Sequence, residues 1–457
     1  MAERSGAELA PDFVGNRSAE ATPGVHARGL ARAATQHDTG PSRVSSLGER
    51  VQLRAKGATE REMPGDRLPE AGVQTAIGLD TVEHCFVVLT RNDTSEDESV
   101  ESRSEIELPN LVGSTRCRGV PERILPVSVP MQYRPLGRTG FDVSTVSFGA
   151  WAIGGTWGAV HDDESFAALG RALELGVNFF DTADVYGDGH SERLLAKLRR
   201  ERSEPFYVAT KIGRRSSPHT AASYHRENLT AYVERNLKNL EVEALDLVQL
   251  HCPPTDVYYT PEVFGVLDDL KSAGKIRHYG VSVERVEEAL KAIEYPGVQS
   301  VQIIFNLFRQ RPQELFFARA REKQVGILAR LPLSSGMLTG KMSAESAFAA
   351  DDHRNFNREG AAFDRGETFS GVPFEVGLEV VEELRSLVPE GLSLTEFALA
   401  FIGSFADVTC SIPGARRVDQ VEANVKAADL PVLSPELLRL THDLYLAKLA
   451  PHVHHRW

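Results

Sequence analysis

The sequence contains few cysteines, and its first part lacks long apolar runs. The four cysteines among its 457 residues, Cys85, Cys117, Cys252 and Cys410, do not have the spacing of a metal-ligand set. A chain of this length can build a core without disulfides, so we expect reduced thiols in a cytoplasmic protein. The longest apolar run in the first 130 residues covers positions 85–89. A membrane helix needs roughly 18 apolar residues, so we expect no membrane span there.

Aromatic residues are almost absent before Met131. Residues 1–130 contain Phe13 and Phe86 but no Trp or Tyr. Without large apolar side chains, a segment can hardly offset the entropy lost when its backbone becomes ordered. We therefore expect residues 1–130 to be a largely disordered extension and residues 131–457 to be the folded domain. Since the composition changes at a methionine, a second hypothesis is that Met131 is the natural start.

Positive charge is also in deficit, because the net charge is −13. An acidic balance argues against nucleic acid or an anionic membrane as a partner, since both prefer a basic face. Acidic residues at the start, with no apolar segment after them, predict that no secretory signal is present. We expect a small-molecule partner and a cytoplasmic location, while the sequence leaves the oligomeric state open.

From Met131 onward, short apolar runs alternate with helical patterns. A hairpin with its turn at Gly137–Gly140 comes first. The predicted strands that follow are 145–149, 178–183, 206–211, 245–251, 276–283, 300–306, 325–333 and 408–414. Continuous apolar runs indicate strands that are buried on both faces. Eight of them alternating with helices predict an α/β fold, a closed (β/α)₈ TIM barrel with an N-terminal β-hairpin. No GxGxxG follows the first strand, which argues against an open dinucleotide-binding sheet.

Polar side chains stand at the ends of three consecutive predicted strands. Asp181 and Tyr186 follow the second strand, Lys211 ends the third and His251 ends the fourth. The carboxyl ends of barrel strands meet at one mouth, so these four residues are candidate catalytic residues. An ammonium beside a phenol lowers the phenol's pKa. Lys211, held by Asp181, would therefore make Tyr186 a general acid for a carbonyl oxygen, and His251 would orient the substrate. Such a proton donor needs a hydride source, which no side chain supplies.

Six segments resemble the motifs of the aldo-keto reductase family, in the order in which that family has them. They are DTADVYGDGHSE (181–192), ATKIG (209–213), DLVQLH (246–251), GKIRHYGVS (274–282), PLSSGMLTGK (332–341) and IPGARRVDQVEAN (412–424). The resemblance covers residues 131 to about 449. It implies that the four residues above form the catalytic tetrad. It also implies a nicotinamide cofactor, usually NADPH, with NADH as a possibility.

The resemblance assigns cofactor contacts to two regions. Ser282 and Gln302 match positions that hold the nicotinamide carboxamide, and Arg330 stands where many members stack an aromatic ring on the nicotinamide. Two departures weaken the match, because Val283 replaces the usual Asn and Ala423 replaces a common Glu.

The second region is the turn into the last barrel helix. Backbone amides at Gly414 and after it can face a phosphate at the helix start. Arg416 and Arg417 would suit the 2′-phosphate of NADP, and the less favoured alternative is a pair of solvated arginines. Gln420 and Asn424 match adenosine-contacting positions.

Substrate choice depends on loops. Trp151 and Trp157 follow the first barrel strand and either line the substrate pocket or pack beneath the loop. The long polar segment 341–374 could close over substrate. We predict an NADP(H)-dependent reductase of aldehydes or ketones. Two alternatives stay open: an NAD(P)⁺-dependent sugar or polyol dehydrogenase, and a low-turnover NADPH-sensing subunit. We expect no metal, since the strand ends carry no His-x-His or carboxylate cluster.

Overall fold

The computed structural model describes residues 131–154 and 161–457. The expectations for residues 1–130, including their disorder and the domain boundary at Met131, lie outside these described residues. Trp157 also lies outside them. Within the described part of the chain, no helix is both long and apolar enough to span a membrane.

The first described element is the expected hairpin. Its strands β1 (Tyr133–Pro135) and β2 (Asp142–Ser144) are antiparallel. Gly137 lies in the turn at φ +54°, and a Cβ there would lie 2.5 Å from the backbone of Gly326. Only glycine therefore fits both the backbone conformation and the close approach. The predicted N-terminal hairpin is confirmed.

The hairpin covers the amino-terminal end of the barrel. Leu136 and Phe141 of the hairpin pack with Phe179 and Leu328 in one buried apolar cluster. The guanidinium of Arg134 donates hydrogen bonds to three backbone carbonyls just before and at the start of the last strand. The opposite, carboxyl-terminal end of the strands remains as the mouth.

In the described part of the chain, eight parallel strands form one sheet in sequence order. They are β3 (Phe148–Gly149), β4 (Phe179–Asp181), β5 (Tyr207–Ile212), β6 (Leu245–His251), β7 (Ile276–Ser282), β8 (Val298–Ile304), β9 (Gly326–Arg330) and β10 (Val408–Ile412). Parallel bridges from Val146 to Ser411 and from Gly149 to Gly414 join the first and last strands. The predicted (β/α)₈ barrel is confirmed.

Helices surround the sheet, and in the described part of the chain nine lie between its strands and three follow β10. They are α1 (Asp162–Glu174), α2 (His190–Glu201), α3 (Arg226–Leu240), α4 (Pro261–Ser272), α5 (Val286–Ala292), α6 (Phe316–Glu322), α7 (His353–Phe356), α8 (Phe374–Arg385), α9 (Leu394–Gly403), α10 (Val418–Lys426), α11 (Pro435–Leu444) and α12 (Ala450–Val453). A 3₁₀ turn that carries Pro312 precedes α6, which begins at Phe316. After α11 the chain continues in a π-helical turn from Tyr445, ahead of Pro451, which cannot donate a helical hydrogen bond.

Candidate active site

The strand ends bring the four candidate catalytic residues to one mouth of the barrel. Asp181 is the last residue of β4, His251 is the last residue of β6, and Lys211 is next to last in β5. Tyr186 lies in the turn between β4 and α2. The side chains of Asp181, Tyr186 and His251 line the same cavity, and Lys211 contacts both Asp181 and Tyr186. The structure thus places together the residues that the sequence singled out.

Lys211 is the centre of this arrangement. Its Nζ donates to Asp181 Oδ2 at 2.6 Å and to the carbonyl oxygen of Thr182 at 2.8 Å. The same Nζ lies 3.4 Å from the Tyr186 hydroxyl, at the outer limit of a hydrogen bond. Lys211 is almost completely buried, with 1% of its surface exposed. Burial lowers the pKa of Lys211, but Asp181 and Tyr186 outweigh burial and hold that pKa above its usual value. The ammonium is therefore charged at neutral pH.

The pKa of Tyr186 corrects one expectation from the sequence. Burial raises this pKa, and Lys211 lowers it by a smaller amount, so the net shift is upward. The ammonium effect is present as expected, but the cost of placing a phenolate inside the protein is greater. Tyr186 is consequently a protonated phenol over the physiological pH range.

His251 faces Tyr186 edge to face. The two ring centroids are 5.9 Å apart and their planes are 86° apart. Burial holds the pKa of His251 well below its ordinary value, and the nearby cations Arg214, Lys211 and Arg330 add to this effect. The imidazole is therefore neutral. Among the described residues, no group bonds its buried Nδ1.

The two residues assigned to the nicotinamide carboxamide lie beside this group. Ser282 and Gln302 are paired across β7 and β8, and both line the cavity. Gln302 Nε2 donates to Asp181 Oδ1 at 2.6 Å and to Gln249 Oε1 at 3.1 Å. Asp181 therefore accepts one bond from Lys211 and one from Gln302, which fixes both of its oxygens.

Arg330 lines the cavity, and hydrogen bonds and ion pairs hold its guanidinium in place. Its Nη2 donates to the carbonyl oxygen of Val283 at 3.1 Å and to Glu284 at 3.2 Å. Its Nη1 lies 3.6 Å from Glu367, which comes from the 341–374 segment. The sequence suggested a stacking role for this guanidinium, but it did not indicate these two carboxylates.

The same carboxylates bear on the question of a metal. Cys252, Glu284 and Glu367 each offer a ligand atom within 4.8 Å of the others. However, Arg214 donates to Glu367 at 2.7 Å and to Glu284 at 3.2 Å, and burial raises the pKa of the Cys252 thiol. A metal ion would have to displace one or both guanidinium groups and deprotonate a buried thiol.

The far end of the cavity is formed by the turn before α10. Gln420 Oε1 accepts a hydrogen bond from the backbone N–H of Arg416 at 3.0 Å. Asn424 Nδ2 donates to the carbonyl oxygen of Gly414 at 3.4 Å. These four residues line the cavity. Arg417 also lines it and is paired with Asp419 at 2.9 Å. Gln420 and Asn424 lie on α10, and their side chains hydrogen-bond to the backbone of the loop that precedes this helix.

One continuous cavity joins the two ends, with a volume of about 690 Å³. Its wall includes two cations that the sequence did not single out, Lys341 and Arg354. Lys341 ends the PLSSGMLTGK motif, so position in that motif was a usable signal. Arg354 lies inside the long loop on α7, where no periodicity pointed to it.

Trp151 covers the catalytic end of the cavity. Its ring stacks on Tyr186 with centroids 6.1 Å apart and contacts His353 of the 341–374 segment at 4.8 Å. Trp151 therefore lines the cavity and also packs beneath the loop. These two positions, which the sequence left as alternatives, are compatible. The corresponding prediction for Trp157 lies outside the described residues.

The four candidate catalytic residues thus meet at the carboxyl end of a (β/α)₈ barrel, beside a cavity whose wall includes several cations. The sequence model of the Aldo/keto reductase family matches residues 145–444. The chain belongs to this family of oxidoreductases.

Three proteins illustrate the similarity. Aldo-keto reductase YhdN of Bacillus subtilis is 30% identical over 299 residues, covering 64% of this chain and 87% of the relative. A probable voltage-gated potassium channel subunit beta of Arabidopsis thaliana is 29% identical, covering 67% and 94%. The solved structure of a glycerol dehydrogenase from Gluconobacter oxydans is 30% identical, with a TM-score of 0.57 and coverage of 70% and 96%.

Proposed function

We propose that the protein is an NADP(H)-dependent reductase that converts an aldehyde or ketone to the alcohol. The observation that carries this proposal is the contact of a buried ammonium, Lys211, with both Asp181 and the Tyr186 hydroxyl at the cavity wall. This arrangement gives the cavity one group that can donate a proton to a carbonyl oxygen.

The residues present fit a nicotinamide dinucleotide. At the catalytic end, the hydroxyl of Ser282 and the amide of Gln302 line the cavity and suit a carboxamide. Lys341 and Arg416 also line the cavity and supply positive charge for phosphate groups, and Arg354 lines it while paired with Asp352 at 2.6 Å. The reduced nicotinamide, when bound, supplies the hydride. We assign preference for NADP(H) over NADH to Arg416, whose guanidinium suits an additional phosphate.

Each catalytic residue then has a distinct role. Tyr186 gives its phenolic proton to the carbonyl oxygen, and its raised pKa keeps that proton available at neutral pH. Lys211 stabilises the phenolate that remains, since an ammonium lowers the cost of the negative charge. Asp181 holds Lys211 charged and in place. Neutral His251 donates a ring N–H hydrogen bond to the substrate oxygen and so orients that oxygen toward Tyr186.

The direct test is Tyr186→Phe. We expect a loss of carbonyl reduction of about 10²–10⁴-fold, the usual contribution of a general acid. Binding of NADPH, measured by quenching of protein fluorescence, should be unchanged because the phenyl ring remains. A variant that reduces aldehydes at the wild-type rate would overturn the assignment. NADH in parallel tests the cofactor preference.

Two other functions are supported by the similarities and are separated by assay. The likeness to a glycerol dehydrogenase favours oxidation of a polyol or sugar with NAD(P)⁺. The same residues would serve, with the Tyr186 phenolate taking the proton from the alcohol. The likeness to a potassium channel subunit beta favours a binding role. Tight NADPH binding without turnover on any aldehyde, ketone or polyol would favour the binding role.

A further inference from the structure

Asp184 is a buried acid that no step above uses. It lies in the turn between β4 and α2, between Asp181 and Tyr186 in sequence. Its backbone N–H donates to the carbonyl oxygen of Lys211 at 3.3 Å. Asp184 is therefore connected, through the chain or by a hydrogen bond, to three of the proposed catalytic residues without contacting the cavity.

The side chain of Asp184 is fully buried and unsatisfied. Among the described residues, neither carboxyl oxygen has a side-chain hydrogen-bond partner, and a contact with the backbone N–H of Val185 opposes the rise in its pKa only weakly. The neighbouring buried acid Glu192 is different, since it accepts bonds from the Thr210 hydroxyl at 2.6 Å and the Asn239 amide at 2.8 Å. A buried carboxylate without donors is far more costly than a neutral carboxyl group. The geometry at Asp184 therefore favours the protonated form.

The charges around Asp184 do not remove this cost. The titratable and charged groups that face it are Glu192 on α2, Arg215 after β5, Arg235 on α3 and Tyr224 before α3. The two arginines are already bonded to the exposed Asp188, at 2.5 Å and 2.7 Å. Burial, together with a smaller contribution from Glu192, raises the pKa of Asp184 to about 7, although the two arginines and the backbone N–H of Val185 oppose the shift.

We propose that Asp184 is a positioning residue that holds the Tyr186 turn in its active conformation only while its carboxyl group is neutral. This inference rests on the proposed function of Tyr186. The Tyr186 backbone N–H is bonded to the carbonyl oxygen of Ala183 at 3.1 Å, so residues 183–186 move as one turn. Ionised Asp184 draws this turn toward Arg215, Arg235 or solvent. The contact of Tyr186 with Lys211 is already 3.4 Å long and is lost after a shift of a few tenths of an ångström.

The test is the pH dependence of kcat for Asp184→Asn, which keeps the shape of the side chain and cannot ionise. We expect the wild-type kcat to fall about tenfold per pH unit once Asp184 ionises. The variant should keep its rate at pH 6 up to pH 9. If kcat of Asp184→Asn falls at the same pH as kcat of the wild type, the proposal is overturned.

Two further variants make the result specific. Asp163→Asn is the control, because it changes an exposed acid on α1 and leaves Arg215 and Arg235 paired, so the profile should match the wild type. Glu192 is a second buried acid, and burial raises its own pKa to about 7; Glu192→Gln removes its negative charge and lowers the pKa of Asp184. We therefore expect the fall in kcat to move to lower pH, opposite to the effect of Asp184→Asn. If kcat of Glu192→Gln falls at the same pH as in the wild type, the proposal is contradicted, even if Asp184→Asn does not fold.

A second readout is thermal unfolding of the full chain between pH 5 and pH 9. Since the folded-state pKa of Asp184 is raised from 3.8 to about 7, the wild type loses stability as the pH rises toward about 7, and Asp184 causes no further loss above that pH. Asp184→Asn should lose less. If Tyr186→Phe keeps its activity, the proposed function fails. If Tyr186→Phe is inactive but Asp184→Asn shows the wild-type pH profile, only the positioning role of Asp184 fails.

Discussion

Replacing Lys211 by methionine should destabilise the barrel and stop the reaction for separable reasons. Lys211 and Asp181 form a buried pair, with side-chain exposures of 1% and 6% and an Nζ–Oδ2 distance of 2.6 Å. In Lys211→Met, the Asp181 carboxylate keeps only the Gln302 amide as a donor. Breaking a buried ion pair from one side costs about 3–5 kcal/mol. For a domain of this size, that cost lowers Tm by roughly 4–7 °C.

A double-mutant cycle isolates the pair. Asp181→Asn leaves the ammonium with the Thr182 carbonyl and the Tyr186 hydroxyl, and should cost about 2–4 kcal/mol. The double variant buries no net charge, so we expect it to be more stable than the sum of the single losses by about 2–3 kcal/mol. Urea unfolding of all four proteins at pH 7 measures this coupling.

The stability recovered in the double variant should not be accompanied by recovery of carbonyl reduction. Both variants lacking Lys211 leave Tyr186 without a cation, so carbonyl reduction should stay about 10²–10⁴-fold below the wild type. Lys275→Met is the matched control, because Lys275 pairs with Glu234 on the surface at 3.0 Å and should cost less than about 1 kcal/mol. Additive losses in the cycle, or a double variant with restored turnover, would refute the reasoning.

Two further changes test the ends of the barrel. Arg416→Ala should weaken NADPH binding about tenfold in a fluorescence titration and leave NADH binding unchanged, because one charge-assisted contact is worth about 1.4 kcal/mol; equal losses for both cofactors would exclude the phosphate role. Arg134→Ala removes bonds to the carbonyl oxygens of Gly403 (2.9 Å), Phe405 (3.0 Å) and Val408 (2.6 Å). It should lower the free energy of unfolding by about 2–3 kcal/mol with kcat unchanged; a reduced kcat at unchanged stability would contradict a purely structural role.

The positions of the candidate catalytic residues could be predicted because strand ends are visible in the sequence. Asp181, Lys211 and His251 each follow an apolar run, and parallel strands present their carboxyl ends at one edge. Tyr186 follows Asp181 at a short spacing, so its location required only the strand before it. The closed barrel followed from the count and alternation of these runs.

The surroundings of these residues could not be predicted, because they depend on contacts distant in sequence. Arg330 is held by Glu284 and by Glu367 of the long loop, and nothing local to Arg330 indicates either partner. The net pKa shift of Tyr186 depends on how much protein surrounds the phenol, which a sequence does not give. Burial and charge compete there, and only the folded arrangement decides which effect is larger.

The hairpin at the base of the barrel has a consequence for how the chain is made. Arg134 reaches its carbonyl partners across separations of 269 to 274 residues, and Val146 pairs with Ser411. On a ribosome, the hairpin emerges long before the segment that anchors it has been synthesised. Contacts this distant in sequence slow folding and leave partly folded chains exposed to aggregation. The base of the barrel is therefore sealed only after nearly the whole domain has left the exit tunnel.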